Sequence, residues 1–394
     1  MGILTAAIVA MLIQQSLMTM ATLAIPSLWP LIGPDFGLGN AGIGFYSLIL
    51  YAVGFAAASV ASSGILRFGP LRSSQFCLIL AAWGVLIGSF GSIWLIPPAA
   101  FLLGLGMGPS TPASSQVLAR FSTPERAPLV FSIKQTGVPV GGFLAGAVLV
   151  PVAEALSWQA SLLIAGFVAW SAAIWMQRFR DRFDDERIPT RKIRLGDLGL
   201  SFRAATATPA LRKLAFSGFA FSGLQIGFMS FFIAYAEADL GLDTITAGQV
   251  MGAASAVAIA GRIFWGWLAG GRVRPRVLLV WLSIAMFLSI LAVGLATPAW
   301  GVWAIGAAAV AFGATGVSWN GVHLAEAARL SPPGQVAVVM GGIISCCFLG
   351  LLTLPAVLGF VFFSQGIGGS GFIAIALPAL ACAVLFALPD RKTG

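Results

Sequence analysis

The sequence predicts an all-α membrane protein of twelve transmembrane helices, arranged as two pseudo-symmetric six-helix bundles. Three observations carry that class. Of 394 residues, 59% are hydrophobic and only 9% are charged, so a soluble form would expose more apolar surface than monomeric proteins do. Apolar stretches of about 20 residues, the length that crosses about 30 Å of hydrocarbon as a helix, recur twelve times. The Lys and Arg residues fall in alternate gaps between those stretches.

The stretches lie near 5–33, 40–66, 73–95, 97–119, 128–151, 157–177, 210–236, 244–269, 277–296, 299–326, 335–362 and 368–388. Each reads as a helix, because lipid offers no partner for an open backbone. The first has no basic leader and no small-residue cleavage site, and it is too long for a secretory signal, so it is expected to remain as a span. Arg67 and Arg72 follow the second stretch, and Arg120 and Arg126 the fourth. Arg178, Arg180, Arg182, Arg187, Arg191, Lys192, Arg194, Arg203, Arg212 and Lys213 follow the sixth. Arg272, Arg274 and Arg276 follow the eighth, Arg329 the tenth, and Arg391 and Lys392 the twelfth. The odd gaps carry Asp35, Glu154, Glu237, Asp239 and Asp243 with no Lys or Arg. The positive-inside rule therefore places the even gaps and both termini in the cytoplasm, as expected for a multi-pass protein of a bacterial-type inner membrane. The net charge of +9 follows from that orientation and needs no nucleic-acid partner.

The four cysteines, Cys77, Cys346, Cys347 and Cys382, all lie inside stretches, where a thiol acts as a small apolar group. No disulfide is expected. No metal-spaced Cys/His cluster, phosphate-cradling loop or catalytic triad is visible, so neither an enzyme, a metal site nor a cofactor is expected.

The longest gap, 178–209, divides the chain into an N-terminal bundle (1–177), a cytoplasmic linker and a C-terminal bundle (210–394). The gaps after the second and eighth stretches look alike. One reads Ser62-Ser63-Gly64-Ile65-Leu66-Arg67-Phe68-Gly69-Pro70-Leu71-Arg72, the other Gly266-Trp267-Leu268-Ala269-Gly270-Gly271-Arg272-Val273-Arg274-Pro275-Arg276. Repetition of this kind marks secondary transporters whose site lies between the repeats.

With twelve spans, a six-plus-six division and a basic central gap, the whole chain resembles the major facilitator superfamily. The two turns are similar to its signature, Gly-x-Leu-Ala-Asp-Arg-x-Gly-Arg-Arg. Arg67, Phe68 and Gly69 match, whereas Leu66 and Gly270 stand where the family has Asp. The resemblance implies transport of a small molecule by alternating access, with Arg67, Gly69, Arg72 and Arg272 at the conformational gate. The missing acid should weaken the latch that favours one state. No ATP-binding domain is visible, so a gradient must supply the energy. A monomer in lipid is expected.

Charges within spans are costly, and each is a candidate for function. Arg262 lies in the eighth stretch, about 10 Å above the basic turn by helical rise. Gly261-Arg262-Ile263-Phe264-Trp265-Gly266-Trp267 resembles the eighth helix of the oxalate/formate antiporter and monocarboxylate-transporter branches. There an Arg faces the cavity and binds a carboxylate, a task that suits a planar, always charged fork. The competing role is packing against carbonyls or Glu326 at an inner gate. Lys134 opens the fifth stretch; it either snorkels to the interface or adds a second positive charge to an anion site. Gly137, Gly141 and Gly142, just beyond it, read as helix-packing positions.

His323, the single histidine, shares a helix face with Asn320 and Glu326 at three-residue steps. That face is the candidate for proton coupling through His323 and Glu326. Its alternative is a helix end in which Glu326 pairs with Arg329. Gln14, Gln225 and Asn320 are candidate hydrogen-bonding partners of substrate, beside the further polar residues Gln15, Ser110, Thr111, Ser114, Ser115 and Gln116, of which the serines serve equally as helix-packing glue. Phe228, Phe231, Trp265 and Trp319 either wall the cavity or fill space.

Two functions compete. The first is a secondary transporter of a small organic anion, a carboxylate, by proton-coupled symport or exchange, with Arg262 as the anchor and Lys134 as a second positive charge. The second is a proton-driven exporter of drug-like or amphipathic compounds. An embedded acid in the first six spans would favour that second function, and none is visible. A receptor or scaffold is disfavoured by the short gaps, and a lipid-acting enzyme by the missing nucleophile–base set.

Overall fold

Proline and glycine punctuate the helices. Pro70, Pro97, Pro209, Pro275 and Pro298 each sit in the first turn of a helix, where a missing N–H costs nothing. Ser157 and Asp243 cap two others, and Thr208 caps the helix that Pro209 opens, by accepting the amides of Ala160, Thr246 and Leu211. This computed structural model describes residues 2–37, 41–190, 198–365 and 368–388. Arg191, Lys192, Arg194, Arg391 and Lys392 of the charge pattern lie outside the described residues.

Among the described residues, twelve helices are long and apolar enough to cross a membrane. The first six are Ile3–Asp35, Ile43–Phe68, Pro70–Gly88, Ile93–Phe121, Ala127–Ala155 and Trp158–Phe183. The last six are Pro209–Ala238, Ile245–Ala269, Pro275–Leu295, Pro298–Leu330, Val336–Val361 and Gly369–Ala387. The chain is thus an all-helical, multi-pass membrane protein. The third span starts earlier and stops sooner than its apolar run, because Pro70 opens the helix and a turn around Gly91, at φ +68°, ends it. The sixth runs on to Phe183 and the tenth to Leu330, past the ends of their apolar stretches at 177 and 326 and into the charged gaps.

The fifth and tenth spans are interrupted, which their continuous hydropathy concealed. The fifth breaks at Thr136, between helices Ala127–Gln135 and Gly137–Phe143, and passes through one wide turn at Leu144–Leu149. The tenth ends one helix at Gly316, turns through 317–319 and resumes at Asn320. Within a bilayer, such freed backbone groups persist only where protein or a cavity satisfies them.

The helices group into two compact units. One comprises residues 1–123, 133–205 and 331–345. The other comprises 124–132, 206–330 and 346–394. Two helix ends therefore group away from their neighbours in sequence, and packing explains both. In the first unit, Ser345 of the eleventh span bonds Ser59 of the second at 2.8 Å. There, too, Ala337 is buried with Ala61, Ile65 and Ala113. In the second unit, Ser132 of the fifth span fills the space that a side chain at Gly266 or Gly321 would need. Elsewhere, Gly137 and Gly141 press the fifth span onto the first, where a Cβ would meet the Leu12 carbonyl at 3.0 Å or the Met20 amide at 2.8 Å. That is the packing role expected of them.

Candidate functional site

Each unit contains one buried cation beside a helix break. In the first, Lys134 is 1% exposed. The fifth span begins at Ala127, so Lys134 lies two turns inside it rather than at its mouth. It does not snorkel to the interface. Its ammonium donates to Gln15 Oε1 at 2.5 Å and to Gln135 Oε1 at 3.2 Å. The break at Thr136 follows directly, and Thr136 Oγ1 donates to the Ile133 carbonyl at 2.7 Å. One residue before Gln15, Gln14 donates to Ser110 Oγ at 2.6 Å, while its own Oε1, fully buried, has no partner. The unit thus encloses a positive charge held by two amide oxygens and, on the residue beside Gln15, an acceptor unused among the described residues.

In the second unit, Arg262 is also 1% exposed. Its Nε donates to the Val317 carbonyl at 3.0 Å, inside the break of the tenth span. Two neighbours hold the break open. Ser318 donates to the Ala258 or Gly313 carbonyl, each at 3.0 Å, and Trp265 donates to the Ala314 carbonyl at 2.7 Å. Trp319 packs edge-on against Phe221 and His323 and donates to Gln225 Oε1 at 3.1 Å. Asn320, the first residue of the resumed helix, has an unpartnered Oδ1. The break thereby brings together Arg262, Gln225, Trp319, Asn320 and His323.

His323 is fully buried, and its Nε2 faces the Leu214 carbonyl at 2.9 Å and Ser217 Oγ at 3.1 Å. A carbonyl only accepts, so Nε2 carries the proton, and Nδ1, which has no partner, offers a bare lone pair. Glu326 does not join it. Both of its oxygens accept from Arg329 at 2.7 Å, which is the helix-end pairing that competed with a proton-coupling role.

The candidate gate residues occupy the basic turns. Gly69 adopts φ +97°, and the Asp184 carboxylate fills the space a side chain there would take. Arg72 donates to Gln177 Oε1 at 3.0 Å, Arg67 lies over the Phe68 ring, and Arg272 stacks on Trp267 at 3.9 Å. Of the aromatics, Phe228 is buried against Phe232, Phe312 and Phe372 in the core of its unit.

Sequence reasoning missed Val317, Gln135 and Asp184. Val317 acts through its carbonyl, which leaves no side-chain signal. Gln135 stood beside Lys134 as a polar residue in an apolar run. Asp184 was one acid within a charged gap.

The sequence profile of the Major Facilitator Superfamily matches residues 10–341. The chain belongs to that superfamily and is a membrane transporter, not an enzyme. No curated protein matches it by sequence. Among solved structures, it is similar to the human organic anion transporter MFSD10, at 15% identity and a TM-score of 0.80, covering 98% of this chain and 100% of that one. It is also similar to the fucose transporter FucP in the outward conformation, at 15% identity and a TM-score of 0.75, covering 98% and 99%. A bacterial homologue of the iron transporter ferroportin matches at 14% identity and a TM-score of 0.73, covering 98% and 99%. At such identities the likeness is one of fold, and the cargoes in those descriptions differ too widely for the fold to choose among them.

Proposed function

We propose that this protein is a secondary active transporter of a small organic anion, a carboxylate, working by alternating access with proton coupling. The observation that carries the reading is the burial of Lys134 and Arg262, each 1% exposed beside a helix break. Burying a cation in a membrane protein is expensive, and an anionic cargo offsets that cost. Arg262 holds the Val317 carbonyl through its Nε, and its planar, always charged fork is the group best suited to a carboxylate. Lys134 supplies the second charge. Gln14 Oε1 in the first unit and Asn320 Oδ1 in the second, both unpartnered among the described residues, are acceptors for hydroxyl or amide groups, and Gln225 accepts from Trp319.

His323 carries the proton in this reading, and Glu326 does not. Protonation of Nδ1 turns the ring into a cation and raises the pull on an anion, and its loss favours release. The 1–177 and 210–394 bundles rock about the 178–209 linker, with Arg67, Gly69, Arg72 and Arg272 at the hinge of the basic gaps. The protein lies as a monomer in a bacterial-type inner membrane, with its even gaps and termini cytoplasmic. The test is uptake of labelled small carboxylates into proteoliposomes, with and without a proton gradient. Arg262→Lys, which keeps charge and loses the fork, should cut uptake at least tenfold. Full uptake by Arg262→Ala at normal expression sinks the anion reading.

A further inference from the structure

At the basic-gap end of the second unit lies a cavity of about 450 Å³, bounded by the starts of the seventh and ninth spans and the ends of the tenth and twelfth. Among the described residues, Lys213, Arg274, Arg276 and Arg329 line it, against one acid, Glu326. The single carboxylate is occupied by Arg329. Lys213 donates to the Leu388 carbonyl at 2.7 Å, and Arg276 to the Phe386 carbonyl at 2.7 Å and to that of Leu388, which fastens the twelfth span into the wall. Arg274 is exposed and its guanidinium has no hydrogen bond or ion pair among the described residues. Two long helices, Pro209–Ala238 and Pro275–Leu295, begin here, and their positive ends add to the potential. Four cations and two helix starts surround a space that holds a single carboxylate.

We propose that this cavity binds the phosphate of an anionic phospholipid, with Arg274 as its principal ligand. The cavity is distinct from the buried sites of Lys134 and Arg262. The charge selects a phosphate, as basic pockets between membrane helices do. The surroundings select a lipid over a soluble phosphate. Val277, Trp281, Ile284 and Leu288 form an exposed apolar strip along the ninth span, starting one residue beyond Arg276. Leu377, Leu380, Val384 and Leu388 form another along the twelfth, ending at the carbonyl that Lys213 and Arg276 hold. A headgroup seated in the cavity leaves its acyl chains beside those strips.

Delipidated protein, titrated with phosphatidylglycerol or phosphatidylcholine and read by native mass spectrometry, tests the assignment. Wild type should retain one tightly held phosphatidylglycerol, with at least tenfold preference over phosphatidylcholine. Arg274→Gln should lose that preference by about tenfold with unchanged thermal stability, since Arg274 holds no structural contact. Millimolar glycerol 3-phosphate should not compete. Equal retention of the two lipids, or full retention by Arg274→Gln, overturns the site. Displacement by glycerol 3-phosphate at the same concentration as lipid overturns the lipid as its occupant.

Discussion

Asp184 Oδ1 accepts the Leu71 amide at 2.7 Å, and its Oδ2 accepts the Arg72 amide at 3.0 Å. An acid from beyond the sixth span therefore caps the start of the third, at the turn where the superfamily signature would place its own Asp and this chain has Leu66. The Gly69 backbone makes room for it. The neighbouring Asp185 and Glu186 pair with Arg120 at the end of the fourth span. Three consecutive acids thus tie the start of the linker to two basic turns of its own unit.

Asp184→Ala removes both accepted bonds at a helix start, a loss of about 1–2 kcal/mol. Thermal unfolding in detergent should show a lower midpoint, and Asp184→Asn, which keeps one acceptor, should fall between. A midpoint unchanged in Asp184→Ala removes the cap from the account.

The two adjacent aspartates should titrate in opposite senses. Burial pushes the Asp184 carboxyl up, against the opposing pull of the Leu71 and Arg72 amides and of Arg180 and Arg187. Its hydrogen bond to Arg120 pulls Asp185 down. For Asp184, the folded protein holds the proton more tightly than the unfolded chain, so its contribution declines as pH rises above the ordinary carboxylate value of about 3.9. For Asp185 the sign reverses: its contribution is present above that value and fades as pH falls through the depressed one. Carboxyl carbon NMR over an acid titration should show Asp184 protonating first. The reverse order contradicts the assigned environments.

Ser132, Gly266 and Gly321 make a close approach in the second unit. A Cβ at Gly321 would lie 2.7 Å from Ser132 Cβ, and one at Gly266 would lie 2.9 Å from the Pro128 carbonyl. Overpacking of this kind costs about 1–3 kcal/mol. Gly321→Val should lower the unfolding midpoint, and adding Ser132→Gly should restore part of it. A fully stable Gly321→Val speaks against the close packing.

The class and the number of spans were legible in the sequence because hydropathy and charge are properties of whole segments. The site was legible only where it rests on ionised side chains. Lys134 and Arg262 stood out as charges in apolar runs, and the structure buries both. Their partners did not stand out, since a carbonyl such as that of Val317 is common to every residue and becomes an acceptor only when the helix breaks. The breaks at 136 and 317–319 left hydropathy unchanged, so they were invisible to it. Glu326 illustrates the opposite limit. Its spacing from Arg329 and from His323 is the same three residues, and only side-chain geometry decides which neighbour it meets.

Orientation rests on charge asymmetry, and it has a direct check. Asp243 caps the eighth span in an odd gap and is exposed. A cysteine at that position, in a variant lacking the four native ones, should react with an impermeant maleimide on intact cells. A cysteine at Arg126, in an even gap, should react only after permeabilisation. The opposite pattern inverts the topology.

Lys134 and Gln15 offer a way to separate stability from transport. Gln15→Leu takes away the nearer oxygen, at 2.5 Å, from a buried ammonium. Leaving a buried charged donor short of a partner costs about 1–3 kcal/mol or more. Replacing both members by apolar groups removes the desolvation penalty along with the bond, and such exchanges are often neutral or stabilising. The double variant Gln15→Leu, Lys134→Met should therefore unfold at a higher temperature than Gln15→Leu alone. Uptake should nevertheless fall at least tenfold in the double variant, because the proposed anion reading loses the buried positive charge of the first unit. Stability restored with transport lost identifies Lys134 as a functional cation held at an energetic cost. Stability restored with full transport makes the Lys134–Gln15 pair a packing element and leaves Arg262 as the sole anchor.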